Sequence, residues 1–583
     1  MKEIILFKKA LKASNVDFAE TNSVASKKGF LIHPDCCNTR VLDWLNTLPV
    51  NYNSTFYKSW KDVTSKNRME LFNDQIAHYM STYGTDFKGT PYIPNDNPAV
   101  VAYEQYQVIL PITEEEIEQK IQGMLGSGIA MSQDTIETCL SLLAEFNINI
   151  DINKVKNKEA MMILCKKLGK LPTKEEEMVR YLVYNYTEKT LLIKSRDVIN
   201  CIKSTRKNIS PLIATYGYDK LSSVFFRFKP LFLAMKKGNE EAINKLRRLA
   251  EKNHNPYIHG YFEKILSGNV DLSKLEENLK GLNNFKKVQL LQTINIRKKQ
   301  TGVMPIIVRN QKLFVKEHEY STKNKLYKEV YDKVYRSLIE SLSAKACTVK
   351  LSKGIKIALP TSEKSFIGNI PLGSYVKMAK TNSIVGIHWK SEEGAKDLDL
   401  SYINHSNQKI GWNSDYYNDD NRIIYSGDVT YANPEAVELL FCKKSFGDGV
   451  VKVNAYSANE KSKFTLFFAK TKDGYKVSSN NMVDPNDIIF SEKLEMTSRE
   501  MLCGIVANNK FMFANLRTGN KIVSNGNSIT SLFIKQAQQT SKGCYLKLKD
   551  VLEEAGFTFT DNAEDAKIDF SVFDKSLLIN LLS

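Results

Sequence analysis

Asp397-Leu398-Asp399-Leu400-Ser401 decides how the C-terminal half is read, together with Ile410-Gly411-Trp412-Asn413, Tyr417-Asn418-Asp419-Asp420-Asn421 and Ser426-Gly427-Asp428 that follow it. Successive side chains of a strand point to opposite faces, so Asp397 and Asp399 share one face while Leu398 and Leu400 share the other. Two carboxylates then point together, and the loops behind them add further oxygens. A hard cation such as calcium takes about six to eight oxygen ligands. Asp397, Asp399, Asn418, Asp419, Asp420 and Asp428 form the candidate ligand set. Asp and Asn also cap turns and tolerate left-handed backbone, which accounts for 418–421 with no ion at all. The residues alone leave both readings open.

Working outward, the chain from Cys347 onward has the texture of strands, at 348–351, 355–359, 384–389, 423–425, 450–456, 464–468 and 511–515. Gly, Asn and Asp turns between them predict a β-sandwich. Residues 470–583 carry no motif. Apolar stretches at 488–490 and 570–582 read as added strands and a terminal helix, hence as an extension of the sandwich.

Over about 389–469 the order of Asp397-Leu398-Asp399-Leu400-Ser401 and Ser426-Gly427-Asp428 resembles the TerD family, with its D-x-D-x-S strand segment and later hydroxyl-Gly-Asp turn. The resemblance implies a β-sandwich that binds Ca2+, an association with tellurite resistance, phage resistance and chemical-stress responses in bacteria, and other TerD-system proteins as partners. Segments 53–60, 74–79 and 226–234 resemble long bacterial proteins encoded with TerD systems, in which a helical region precedes a TerD-like module. A bacterial or phage protein is the origin this implies.

A chain of 583 residues exceeds the size at which single cores stop growing, about 250 to 300 residues, so two to four domains are expected. Residues 1–100 read as a mixed, mostly helical domain ending in the Gly/Pro/Asn-rich stretch 89–98, a candidate linker. Residues 101–300 read as a basic helical array, 301–345 as a hairpin and a connecting helix, and 346–583 as the sandwich. The fold class is α+β. Thr173 with Glu176 has capping-box spacing ahead of Met178 and Leu182. Further helices are expected near 194–206, 220–237, 239–253, 256–267, 271–282 and 284–298, as an antiparallel array or irregular solenoid without a fixed repeat.

The net charge of +17 is unevenly placed, because residues 151–345 hold 40 Lys and Arg against 20 Asp and Glu, leaving −3 for the rest. A local positive field attracts polyanions or an acidic protein surface. Arg227, Lys229, Lys236, Lys237, Arg247, Arg248, Arg297, Lys298 and Lys299 are the candidate polyanion-binding residues. Lysine on solvated helix faces gives the same composition without any ligand. At 226–234, Phe226-Arg227-Phe228 through Ala234 has the spacing of helix packing.

No phosphate-binding loop, dinucleotide fingerprint, H-E-x-x-H, G-x-S-x-G or paired C-x-x-C occurs. His78 near Asp74 lacks a nucleophile with a matched base, and His33 with Cys36 and Cys37 falls short of a zinc ligand set. No apolar run reaches the roughly 20 residues of a bilayer span. Lys8 and Lys9 interrupt the N-terminal apolar run, which argues against an export signal. Nine scattered cysteines suit reduced thiols in a cytoplasm. The expectation is a cytoplasmic, non-enzymatic binding scaffold linked to stress or defence. The alternative is a nucleic-acid-binding or virion-associated structural protein that uses the basic helical segment.

Overall fold

The structure, a computed structural model, describes residues 2–47, 66–73, 107–254, 261–299, 306–309, 312–315, 324–470, 488–516 and 545–583, with gaps at 8, 13–17, 27, 29, 128, 130, 132, 191–192, 206–207, 269, 281, 379–381, 394, 419–421, 433–434, 459–461, 497–498 and 563. The candidate linker at 89–98 and His78 lie outside the described residues. Helices dominate the N-terminal half and sheets the C-terminal half, an α+β arrangement. The chain divides into two compact units, Met1–Thr113 with Leu279–Leu582, and Glu114–Asn278.

Two antiparallel sheets dominate the first unit. The seven-stranded sheet runs in the order Lys409–Gly411, Ala395–Asn404, Gly449–Ala458, Glu500–Ala507, Lys510–Leu516, Tyr375–Lys377 and Ile355–Lys356. The five-stranded sheet runs Ile423–Tyr425, Glu435–Cys442, Ser383–Lys390, Lys463–Lys470 and Ile488–Glu495. Between Ser383 and Leu516 the chain passes repeatedly from one sheet to the other. Their facing sides interleave, with the Phe468 ring 4.5 Å from Phe511 and 6.1 Å from Phe513. Leu398, Leu400, Val451, Val453, Leu440 and Leu466 fill the same layer and are buried. Gly504 is required there, because a Cβ would overlap the Phe511 ring. Burying such side chains stabilises the sandwich by roughly 1.5–3 kcal/mol each.

The strands expected at 384–389, 423–425, 450–456, 464–468 and 511–515 are present within a residue or two. The added strand expected at 488–490 forms as well, and a further strand not expected from the sequence appears at 500–507. Glu500–Ala507 lies in the middle of the seven-stranded sheet, and Ile488–Glu495 forms an edge of the other. The last segment does not extend the sandwich. Thr558–Thr560 and Ile568–Asp569 flank Thr348–Lys350 in a separate parallel sheet, with helices Leu548–Glu554 and Lys575–Leu582. Two- and three-residue strands carry too little alternation to be read from sequence.

An N-terminal sheet also forms, in which the six-residue strand Gln107–Ile112 runs parallel between two three-residue strands, Lys9–Leu11 and Phe30–Ile32. Its central strand therefore lies beyond residue 100. Ile4, Ala10, Ile32, Val41, Trp44, Leu45 and Ile109 form its core, with Phe30 edge-on to Trp44 at 5.0 Å. The hairpin forms as Ile306–Arg309 with Lys312–Val315, and the connecting helix as Asn324–Ser343.

The Glu114–Asn278 unit is helical. Asn157 caps its helix by accepting from Glu159 and Ala160 amides, and Gly169 closes it at φ 63°. The single helix expected at 220–237 is two. Ser210–Ser223 ends, a turn intervenes, and Lys229–Ala234 restarts with proline in its first turn, as proline's fixed φ permits. The capping box at Thr173 does not form. Lys174 is the N-cap with no side-chain bond, and the Glu176 carboxylate instead pairs with Arg227. Met178, Val179, Val198, Phe225, Leu231, Phe232, Ile243 and Leu246 fill the core beneath.

Candidate metal centre

Ladder pairing sets up the site. Ala395–Asn404 bonds along one side to Gly449–Ala458, but on the other only Ser401–Ile403 meet Lys409–Gly411. From Leu400 back to Ala395 that side of the strand lies past the end of its partner, and an unpaired buried amide there is costly. Glu438 answers it from the opposite sheet, its Oε2 accepting from Leu400 N at 2.6 Å and its Oε1 from Val429 N at 3.0 Å. Strand alternation then sets Asp399 and Ser401 on the face away from Leu398 and Leu400. Asp397 sits at a bulge, where the register shifts on both sides of it, and bulges re-aim side chains.

The Ser426-Gly427-Asp428 turn supplies the third carboxylate. Ser426 Oγ accepts from Leu439 N at 2.9 Å and Ser426 N donates to Leu439 O at 2.8 Å, which ties the turn to the Glu435–Cys442 strand. Gly427 adopts φ 107°, a conformation that side chains disfavour. The chain turns there and brings Asp428 to the edge. Asp397, Asp399 and Asp428 each offer a carboxylate oxygen within 4.8 Å of the others.

Burial makes this cluster electrostatically demanding. Asp397 and Asp399 are 3% and 2% exposed and Glu438 is fully buried. Burial first, then the Asp428 charge, pushes the Asp397 carboxyl up to about 8. Asp399 is held well above the usual carboxylate range by burial and by Asp397, Asp428 and Glu438, with Lys409 opposing. Glu438 is raised by burial and Asp428, against the lowering effect of its hydrogen bonds to Leu400 and Val429. Lys409 is itself pushed down to about 8 by burial, Asp399 opposing, and its ammonium also bonds Asn413. Lys409 thus offsets Asp399, while Asp397 and Glu438 are each raised further by Asp428. Asp397 Oδ1, Asp399 Oδ2 and Ser401 Oγ are buried without a hydrogen-bond partner among the described residues.

These residues fit a hard divalent cation. Among the described residues every donor is oxygen, with no imidazole or thiolate in the cluster, which suits calcium, magnesium or manganese over zinc. Asn418 is not part of it, because its Oδ1 accepts from Arg422 N at 2.6 Å and Ile423 N at 3.0 Å and so closes its own turn. Asp419 and Asp420 lie outside the described residues. Sequence reasoning left Glu438 out of the ligand set. A carboxylate inside Val437-Glu438-Leu439-Leu440-Phe441 was the available signal, since a charge within an apolar strand needs a partner. Glu435, three residues earlier on the same strand, pairs with His388 at 2.9 Å.

The candidate polyanion residues fall into both units. Arg297, Lys298 and Lys299 end the helix Asn284–Lys299, with Arg297 donating to the Tyr327 hydroxyl at 3.1 Å. Arg227 is engaged by Glu176 and lies 5.7 Å from the Phe228 ring centre. Lys229, Arg247 and Arg248 are exposed. Lys236 and Lys237 line a groove that Lys203 also lines, a lysine the sequence did not single out. None of the eight cysteines among the described residues is in a disulfide, and burial pushes the Cys36 and Cys442 thiols up to about 12. No helix among the described residues is long and apolar enough to cross a membrane.

No protein-family model matches the sequence, and neither the curated proteins nor the solved structures contain a match to it.

Proposed function

We propose that the chain is a non-enzymatic binding scaffold whose β-sandwich holds a hard divalent cation, calcium foremost, at Asp397, Asp399 and Asp428. The observation that carries the proposal is the pair of orphaned oxygens, Asp397 Oδ1 and Asp399 Oδ2, buried beside a third carboxylate. Removing an ionised group from water costs several kcal/mol unless it is paired, and one bound cation offsets that cost for all three. Ser401 Oγ adds a further buried oxygen, and Glu438 fixes the neighbouring backbone through Leu400 N and Val429 N.

A TerD-like module in a stress- or defence-associated protein is the setting that the order of Asp397, Asp399, Ser401 and Ser426-Gly427-Asp428 supports. The basic helical segment is the part that meets an acidic partner, since residues 194–254 hold 14 Lys and Arg against 5 Asp and Glu. A ligand that binds only the folded state raises stability by mass action. Calcium added to EDTA-stripped protein is expected to raise the melting temperature, and Asp399→Ala to abolish the rise. Superimposable melts with and without calcium would refute the cation half.

A further inference from the structure

We infer that the groove lined by Lys203, Ser204, Leu233, Ala234, Lys236 and Lys237 is a docking site for an acidic peptide segment that carries a large apolar side chain. The groove lies within the helical unit, between the end of Arg196–Thr205, the end of Lys229–Ala234 and the turn before Glu240–Asn253. Its volume is about 700 Å3, within the roughly 300–1,000 Å3 typical of ligand sites. The inference rests on the helical segment being the part that meets an acidic partner, and it is independent of the cation.

Three features select this occupant. The walls are cationic, and none of Lys203, Lys236 and Lys237 is in salt-bridge contact with a carboxylate among the described residues. The one acid among the described lining residues, Glu240, has its Oε1 accepting from Gly238 N at 3.0 Å, and it offsets part of the charge of Lys236 and Lys237. The floor is aliphatic. Leu233 stays 42% exposed although its neighbours Leu231 and Phe232 are buried, so part of its side chain is open to cover an apolar anchor. A single-stranded nucleic acid would instead use aromatic platforms for its bases, and no aromatic side chain among the described residues lines this groove. Lysines near helix C-termini also complement the helix dipole, but that role does not require Leu233 to remain uncovered.

The test is fluorescence anisotropy on the full chain, with a labelled short peptide of glutamates flanking a Leu-Phe pair. Saturable binding is expected, weakening with salt and equal in calcium and in EDTA. The double variant K236E/K237E and the variant Leu233→Ser should each weaken it by about tenfold or more, equivalent to about 1.4 kcal/mol. Lys252→Glu, on the last turn of the following helix, should leave it unchanged, and replacing Leu-Phe by Ser-Ser in the peptide should mimic Leu233→Ser. Binding that survives both groove variants, or tighter binding of oligothymidylate than of the peptide, overturns the groove assignment while leaving a charged partner elsewhere on the chain. No binding of either probe overturns the acidic-partner reading with it.

Discussion

The acidic edge of the sandwich and the lysine-lined groove of the helical unit are both clusters of like charge, yet they differ in what surrounds them. Asp397, Asp399 and Glu438 are buried, in a setting where each ionised group must be paired or neutralised. Lys203 and Lys237 stand in solvent and Lys236 is only half-buried, where screening makes mutual repulsion cheap. The first cluster strains the fold until something fills it. The second is indifferent to occupancy, and its lysine walls together with its apolar floor say what it would hold. Charge therefore identifies a site in the sandwich by its cost, and in the helical unit by its shape.

The largest expected effect breaks or confirms that contrast through pH. Asp397 rises in the folded chain to about 8, against about 3.9 unfolded. Between those values the folded state binds the extra proton, so stability is greatest at the acid end and is lost as pH rises. The slope approaches about 1.4 kcal/mol per pH unit for a single group of this kind. Urea denaturation in EDTA is expected to show that fall between about pH 4 and 8, and calcium to flatten it. A flat profile without calcium would mean that the carboxylates are solvated.

Removing Glu438 is the next largest perturbation. Glu438→Ala leaves the Leu400 and Val429 amides without their acceptor, at a cost of about 3 kcal/mol. A loss below about 1 kcal/mol would show that water replaces it. Asp399→Asn acts in the opposite direction. It removes buried charge while keeping the shape, and should stabilise the cation-free chain at about pH 8 by about 2 kcal/mol while eliminating the calcium response. The smallest effect belongs to the groove, where K236E/K237E should change stability by less than about 0.5 kcal/mol. A large loss there would make those lysines structural and erase the contrast.

The long, regular strands were legible because apolar alternation survives over eight to ten residues, as in Ser383–Lys390 and Gly449–Ala458. Asp397, Asp399 and Asp428 were legible too, since a carboxylate pair on one strand face and a Ser-Gly-Asp turn each carry a geometric meaning. Their convergence was not. It depends on a strand whose partner stops at Ser401 and on Glu438 reaching from the other sheet, neither of which is local in sequence. Asn418 misled because a turn-closing Asx side chain and a calcium ligand have the same composition. Glu176 misled likewise: its spacing from Thr173 suits a cap, but the Arg227 guanidinium takes the carboxylate. The short parallel sheets at 9–11, 30–32 and 107–112, and at 348–350, 558–560 and 568–569, were invisible because tertiary pairing creates them.

Calorimetric titration of calcium into the EDTA-stripped chain near neutral pH, repeated in buffers of different ionisation enthalpy, tests the buried-carboxylate site most directly. Binding is expected to be saturable, to release protons as the raised carboxyls ionise, and to vanish in Asp399→Asn. Absence of binding heat in every buffer, or undiminished binding by the Asp399→Asn chain, would contradict a cation held at that edge.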